Sequence, residues 1–363
     1  MSPISTVDAL EQLVGERPAI GGLKSITFLD DHAVALLERS TLVVVGVVGA
    51  DGRLRARTIG GSPGFCAQVT PLAMPLVGLD AEGLVDGAPV ATLALVPGYG
   101  ETLRVNGRLR VGVTPTVEVD EVFLHCAKAI IRSKLWSSEG EQVTPAAPAA
   151  ASPTAPQASS ASAGQAGEPR FAGLDDPVVR EFLARSRFVA LCSVDGVGAA
   201  DVSPKGDPAA FVQVLDSRTV AIPDRPGNLR TDTLHNLVDH PELALVALVA
   251  GDHRVLELRG RAHVTDRPEV LAAMEVAGKV PKAAIELLVD LVELRDDPAL
   301  RAAELWDATH HIAKGDLPRS SRIWTDHVRL NEDPSELAII VRELMDESAL
   351  AEGLEQDYQH NLY

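Results

Sequence analysis

The sequence predicts a mainly β (α+β) protein in which two related copies of a small antiparallel barrel stand in one chain, with helices at the periphery. Three observations carry this. Short segments, apolar throughout or alternating apolar with polar, are broken by Asp-Gly, Pro-Gly and Asn-Gly turns, the pattern of fully buried and half-buried strands. One stretch, residues 137–170, differs in composition from everything around it. Pieces of sequence before that stretch recur after it in the same order,.

Within 137–170, Ala, Pro and Ser fill 21 of 34 positions. So few large apolar side chains cannot offset the entropy of ordering the chain, and five scattered prolines forbid a continuous helix,. The stretch reads as a disordered linker, reaching about 30 Å if it behaves as a flexible coil. It separates a first copy, 1–136, from a second, 171–330. The remaining residues, 331–363, hold nine acidic residues and one arginine. Leu337, Ile340, Val341 and Leu344 fall there at helical spacing, which predicts a surface helix followed by a frayed end,.

The recurrence is piecewise. LLERSTLVVVGVVGADG (36–52) resembles FLARSRFVALCSVDG (182–196), each a helix end, an apolar strand and an Asp-Gly turn. SPGFCAQV (62–69) aligns with DPAAFVQV (207–214), and TLRVNGRLRV (102–111) with VLELRGRAHV (255–264). HCAK (125–128) aligns with HIAK (311–314), each followed by Arg-Ser and then Trp136 or Trp324. The offset between copies is 144 to 146 at first, 153 at Gly107/Gly260 and 186 at His125/His311. On this alignment the first copy lacks about eight residues between Val69 and Glu101, and the second gains about 33, read as helix over PEVLAAMEVAGKVPKAAIELLVDLVEL. In the second copy FVALCSV, AFVQVL, TVAIP, LALVALVA and VLELRGRAHV read as strands, and NLRTDTLHNLVDH (228–240) as a helix that stops before Pro241,. Antiparallel strands with one inserted helix favour a small barrel over a doubly wound sheet.

Charge and composition exclude several functions. With 33 Lys+Arg against 51 Asp+Glu, the chain carries a formal charge of −18. That is the wrong sign for gripping a phosphodiester backbone or an anionic lipid surface, so neither nucleic acid nor membrane is an expected partner. Cys66, Cys126 and Cys192 lie far apart without a CxxC pair, which suits a reducing cytoplasm,. HExxH and spaced Cys/His clusters are missing from the sequence, so no metal site is expected,. GxGxxG and Walker patterns are missing too, so a nicotinamide would visit only as a transient reductant,.

The strongest local signal is IPDRPGNLRTDTLHNLVDHPELALV (222–246). Arg225, Asn228 and Arg230 surround a Pro-Gly turn where a helix begins. Backbone N–H groups at a helix start, beside guanidinium forks, make a phosphate site. Ser203 and Lys205, at the end of an upstream strand, add a hydroxyl and an ammonium. A solvated loop with Asn228 as an ordinary cap is the competing reading.

ADVSPKGDPAAFVQVLDSRTVAIPDRPGNLRTDTLHN (200–236) resembles the pyridoxamine 5′-phosphate oxidase-related flavoproteins, in particular the branch with a DVSPxGD…IPDRPGNxR signature. PGYGETLRVNGRLRV (97–111) and VEVDEVFLHCAKAIIRSKLW (117–136) are similar to later parts of the same branch. The resemblance implies tandem FMN-binding split β-barrels that pair within the chain, as single-copy members pair between subunits. It implies that Ser203, Lys205, Arg225, Asn228 and Arg230 face the FMN phosphate and ribityl chain, and that Ile222, Pro223 and Asp224 run beside the ring. It places His125, Lys128, Arg132, Ser133 and Trp136 of the first copy opposite that loop. Residues 70–98 contain no Lys or Arg, which predicts one FMN per chain and a second groove that is empty or takes something uncharged.

The resemblance then implies an FMN-dependent oxidoreductase acting on a small-molecule substrate, with His125 and Lys128 as catalytic candidates. The chain would be a monomeric pseudo-dimer or a homodimer. The alternatives are a haem-binding or haem-degrading protein using His310 or His311, and a non-catalytic flavin-binding protein.

Overall fold

The computed structural model describes residues 3–137, 170–171, 173–227, 230–313 and 315–363. Most of the expected linker, and Asn228, lie outside the described residues.

Copy one opens with helices α1 (Val7–Val14), α2 (Ala19–Gly22) and α3 (Asp31–Leu37). Thr6 and Asp30 cap α1 and α3 by accepting the amides of Ala9 and Ala33,. Strands β1 (Leu42–Val48), β2 (Leu54–Gly60), β3 (Ala73–Pro75), β4 (Pro89–Leu95), β5 (Thr102–Arg110) and β6 (Thr116–His125) form an antiparallel sheet in the order β2-β1-β4-β5-β6-β3. Helix α4 (Lys128–Ser133) follows.

Copy two runs β7 (Arg170–Phe171), α5 (Pro177–Arg185), β8 (Phe188–Val194), β9 (Ala200–Gly206), β10 (Gln213–Val214), β11 (Thr219–Asp224), α6 (Asp232–Asp239), β12 (Glu242–Leu248), β13 (Arg254–Thr265), α7 (Pro268–Ala272), β14 (Ala283–Asp296) and α8 (Pro298–Ala303). Its sheet order is β10-β11-β14-β13-β12-β8-β9, with β7 paired to β14. From β9 to β11 this path repeats the first sheet strand for strand. Both copies even slip register at the same place, between Asn106 and Gly107 and between Arg259 and Gly260. In each bulge the glycine is required, because a Cβ would lie 1.8 Å from Glu118 O or 2.0 Å from Leu288 O,. The mainly β fold class with peripheral helices is what the molecule has.

The apolar strands explain how the copies join. Along β1, Val43, Val45 and Val47 enter the core of copy one, while Leu42 and Val44 point the other way. Along β8, Val189 and Leu191 enter the core of copy two, while Phe188, Ala190, Cys192 and Val194 meet Leu42 and Val44 in a shared core. Strands that read as apolar without interruption are thus buried on both faces, one by their own barrel and one by the other copy. Each such side chain contributes about 1.5–3 kcal/mol when fully buried. Gly46 lies against this shared core: a Cβ there would lie 3.0 Å from the Cβ of Cys192, its own counterpart.

Three expectations need correction. The stretch 268–294 is helical only over α7; a turn follows, and from Ala283 on it is β14, whose alternation of buried Leu287 and Val289 with exposed Leu288 is strand-like. Tertiary pairing decides here, because β14 bonds to both β11 and β13. The counterpart of HCAK is not HIAK. Strand β14 and helix α8 repeat β6 and α4, which sets His125 opposite Arg295 and Trp136 opposite Trp306 at an offset of 170. Lys134 and Glu304 confirm it, since both end their helices in the left-handed region, at φ 49° and 43°,. Finally, 331–363 is no single helix with a frayed end. After α9 (Ser320–Leu330) come α10 (Glu336–Leu344) and α11 (Glu347–His360), and Leu350 and Leu354 of α11 pack on the core of copy one.

Candidate functional site

A groove lies where α4 of copy one meets β9 and the start of α6 in copy two. It is lined by His125, Cys126, Lys128, Ala129 and Arg132 from one side, and by Ser203 to Lys205, Arg225, Gly227 and Arg230 to Leu234 from the other. The two copies touch there through backbone: a Cβ on Gly206 would lie 2.0 Å from Ala129 O. Glycine therefore lets the helix seat directly on the strand.

Bonded to Asp232 in the groove wall is Arg104, on β5 and 1% exposed. It binds Asp201, and reaches Asp232 and Glu121 at 3.0 Å each. Burial opposes its charge, but those three carboxylates outweigh burial and hold its pKa above the ordinary arginine value,. Burial likewise works against the Glu121 carboxylate, yet Arg104 and Arg230 bring it down to about 2. Asp201 goes the other way: burial raises its pKa, with the neighbouring Asp232 adding to the rise.

Arg230 donates to Glu121 at 2.7 Å, Asp232 at 2.8 Å and Ser25 Oγ at 2.6 Å, and its guanidinium lies 4.4 Å from the centre of the Phe123 ring. Lys205 pairs with Asp224 at 2.7 Å, and Ser203 Oγ donates to Asp201 at 2.7 Å. Arg225 is turned to its own copy, donating to Asp207, Met274 O and Lys279 O. The cations that the sequence groups together are thus each matched by carboxylates or carbonyls, some from the same segment and some from far along the chain.

Two features remain open toward a ligand. Thr231 takes φ 51°, a costly conformation for a β-branched residue, and no side chain caps α6,. The first amides of α6 therefore begin inside the groove without a side-chain acceptor,. Beside them His125 is 6% exposed, and its Nε2 has no hydrogen-bond partner. Burial, then the charges of Arg104 and Arg230, push its pKa well below the usual histidine value, so the ring is neutral at neutral pH,.

Of the residues singled out in the sequence, the groove gathers His125, Lys128, Arg132, Ser203, Lys205, Arg225 and Arg230. Asp224 lines an adjoining cavity of about 370 Å³ with Lys205, Arg225 and Tyr363. Ile222 is packed in the core of copy two, beside the buried Pro223. Ser133 is buried and bonded to Ile130 O, and Trp136 donates to Tyr99 O. His311 stands edge-on to Trp136 at 5.9 Å and is not among the groove residues. Sequence reading missed Arg104, Glu121, Asp201 and Asp232. The available signal was an arginine set between Leu103 and Val105 in a segment read as a strand.

The fold and groove define a fused pair of split β-barrels with a groove at the seam between them. Residues 176–299 match the family model described as pyridoxamine 5′-phosphate oxidase. The match falls within the second copy and spans about a third of the chain. No curated protein matches the chain. Among solved structures, HupZ of Group A Streptococcus is similar at 15% identity over 31% of this chain and 86% of its own, with a TM-score of 0.27. A putative pyridoxamine 5′-phosphate oxidase from Lactobacillus delbrueckii is similar at 22% identity over 30% of this chain and 86% of its own, with a TM-score of 0.25. HutZ of Vibrio cholerae, described as a haem storage protein, is similar at 19% identity over 31% and 88%, with a TM-score of 0.24. Among the described residues, no helix is long and apolar enough to cross a membrane.

Proposed function

We propose that the groove at α6 binds one FMN per chain and that the protein is an FMN-dependent oxidoreductase acting on a small organic substrate or a nicotinamide. The observation that carries this reading is the uncapped start of α6, flanked by Arg230, Ser203 and Lys205, with the unpartnered His125 Nε2 beside it. That donor set suits a phosphate monoester: amides and a hydroxyl for its oxygens, cations for its charge.

Bound FMN would supply hydride chemistry, which the protein positions and shields. Lys205 and Arg230 would hold the phosphate end, exchanging part of their present carboxylate pairing for it. His125, held neutral, can donate or accept one hydrogen bond at Nε2 without adding charge. Lys128 and Arg132 close the side belonging to copy one.

One cofactor rather than two is supported by what copy one lacks. Between β3 and β4, where copy two has α6, copy one has only turns. The pseudo-equivalent groove is lined by Arg55, Arg57, Thr58, Arg295 and Asp297 and has a volume of about 540 Å³, but offers no helix start in place of α6. Purified protein should show a flavin spectrum and release one FMN per chain on denaturation. A haem Soret band in its place, or two flavins per chain, would refute the proposal. Turnover with a reduced nicotinamide separates an enzyme from a flavin carrier.

A further inference from the structure

The end of α11 and the residues after it touch side chains that line the groove. Tyr358 Oη accepts the Ala127 amide at 3.1 Å. Asp357 pairs with Lys128 at 2.8 Å, and Lys128 also donates to Asn361 O at 2.9 Å. Arg132 donates to Leu362 O at 2.8 Å, and the Tyr363 ring lies 5.5 Å from the Arg225 guanidinium. Three of the basic residues that line the groove thus touch residues 357–363. The space left in the groove is about 70 Å³, well under the roughly 300 Å³ at which small-molecule pockets begin.

We propose that residues 357–363 are a strap that occupies the anion positions on Lys128 and Arg132 and must leave before a phosphate ester can enter. The charge of Lys128 makes this an exchange rather than a simple opening. Lys128 is 2% exposed, and Asp357 is the carboxylate paired with it. Arg132 is 7% exposed, and its acceptors are the carbonyls of Gly206, Pro226 and Leu362. Removing the strap strands a buried ammonium and frees a guanidinium fork, a state that an incoming dianion repairs and water repairs poorly. The strap therefore yields to a phosphate and not to a neutral molecule. Anchoring of α11 through Leu350 and Leu354 keeps the displaced segment nearby, so it competes at high effective concentration,.

The inference rests on the groove accepting a phosphate, and the test separates it from the flavin reading. Titration calorimetry would compare the full chain, a chain ending at Gln356 and the full-length Asp357→Asn variant, each with inorganic pyrophosphate and, separately, with FMN. The pyrophosphate series decides the strap. Shortening should tighten binding about tenfold, as expected when the competent state is a minor one, and Asp357→Asn should tighten it by part of that. If the shortened chain does not fold, Asp357→Asn alone decides. Equal or weaker pyrophosphate binding in the variants, or none in any chain, overturns the strap. FMN bound by no chain sinks the flavin reading and leaves the pyrophosphate result for the strap intact.

Discussion

The two grooves of this molecule occupy equivalent places, and beside each the sheet buries a charge of opposite sign. In one, Arg104 is buried among Glu121, Asp201 and Asp232. In the other the same position of the sheet holds Glu257, fully buried, 2.6 Å from Arg57 and 3.3 Å from Arg295. The registers fix the equivalence, since Arg104 faces Leu93 and Phe123 as Glu257 faces Val246 and Glu293. Asp201 and Ser203 are answered by Arg55 and Arg57, and His125 by Arg295. One backbone thus supports two opposite solutions to burying a charge at the seam, and only one of them leaves helix amides free. The sequence expectation for the second groove, empty or uncharged, followed from the lack of Lys and Arg in 70–98. The arginines lining the groove come instead from β2 and from copy two.

The largest effect should come from removing the buried charge beside either groove. Arg104→Met leaves the buried Asp201 without its cation, while Glu121 and Asp232 keep Arg230, and should destabilise the fold by about 3–5 kcal/mol, the cost of breaking a buried pair,. Denaturant unfolding checks it. Glu257→Leu takes the carboxylate from Arg57, but Arg295 keeps Glu293 and Asp297 and both arginines are more exposed, so its loss should be smaller. Equal losses would mean that the inversion has no structural weight.

Next come the two glycines at which helix meets strand. A Cβ would lie 2.0 Å from Ala129 O at Gly206 and 2.3 Å from Ala299 O at Gly60. Either Gly→Ala change should cost about 1–3 kcal/mol through overpacking. Only Gly206→Ala should also weaken FMN binding, measured by fluorescence quenching. A matching loss at Gly60→Ala would place flavin in both grooves.

Arg230→Gln against Arg57→Gln sharpens the same contrast. The first should weaken FMN about tenfold to a hundredfold, the worth of a charge-assisted hydrogen bond. The second should leave FMN affinity unchanged.

The smallest effect is in the pH dependence. His125 titrates below its unfolded value of about 6.5,, so as pH falls through that value the unfolded chain takes up a proton that the folded chain refuses. Stability should therefore drop below about pH 6.5, by at most about 1.4 kcal/mol per pH unit from this group. His125→Gln should flatten that part of the profile. An unchanged slope would show that His125 does not carry it. Arg295, its counterpart, offers no such titration.

Much of the fold was legible because turns and strands are written locally. Asp-Gly ends β1 and β8 alike, and wholly apolar strands announce burial on both faces. Strand β14 was misread because IELLVDLVEL satisfies helical and strand spacing equally, and only its neighbours β11 and β13 decide. The copies were misaligned at their ends because an identical His-x-x-Lys outweighed the truer match of AIIRSKLW with ALRAAELW. Of the site, the loop at Arg225 and Arg230 could be read from its turn and helix start. The acids around Arg104 could not, because they come from positions 17, 97 and 128 residues away along the chain. The role of 357–363 was equally hidden, since nothing in an acidic helix names the lysine it will meet.

Gly46 opposite Cys192 has a meaning of its own. An axis relating two identical subunits must place the same residue on both sides, so any side chain near it has to tolerate its own image. Here the two sides are a hydrogen atom and a thiol. Two copies of the first half would face glycine to glycine and leave a gap; two of the second would drive cysteine into cysteine. The fit is good only between unlike halves. Covalent fusion thus does more than hold the halves together: it releases the seam from self-complementarity and lets each side shape itself to the other.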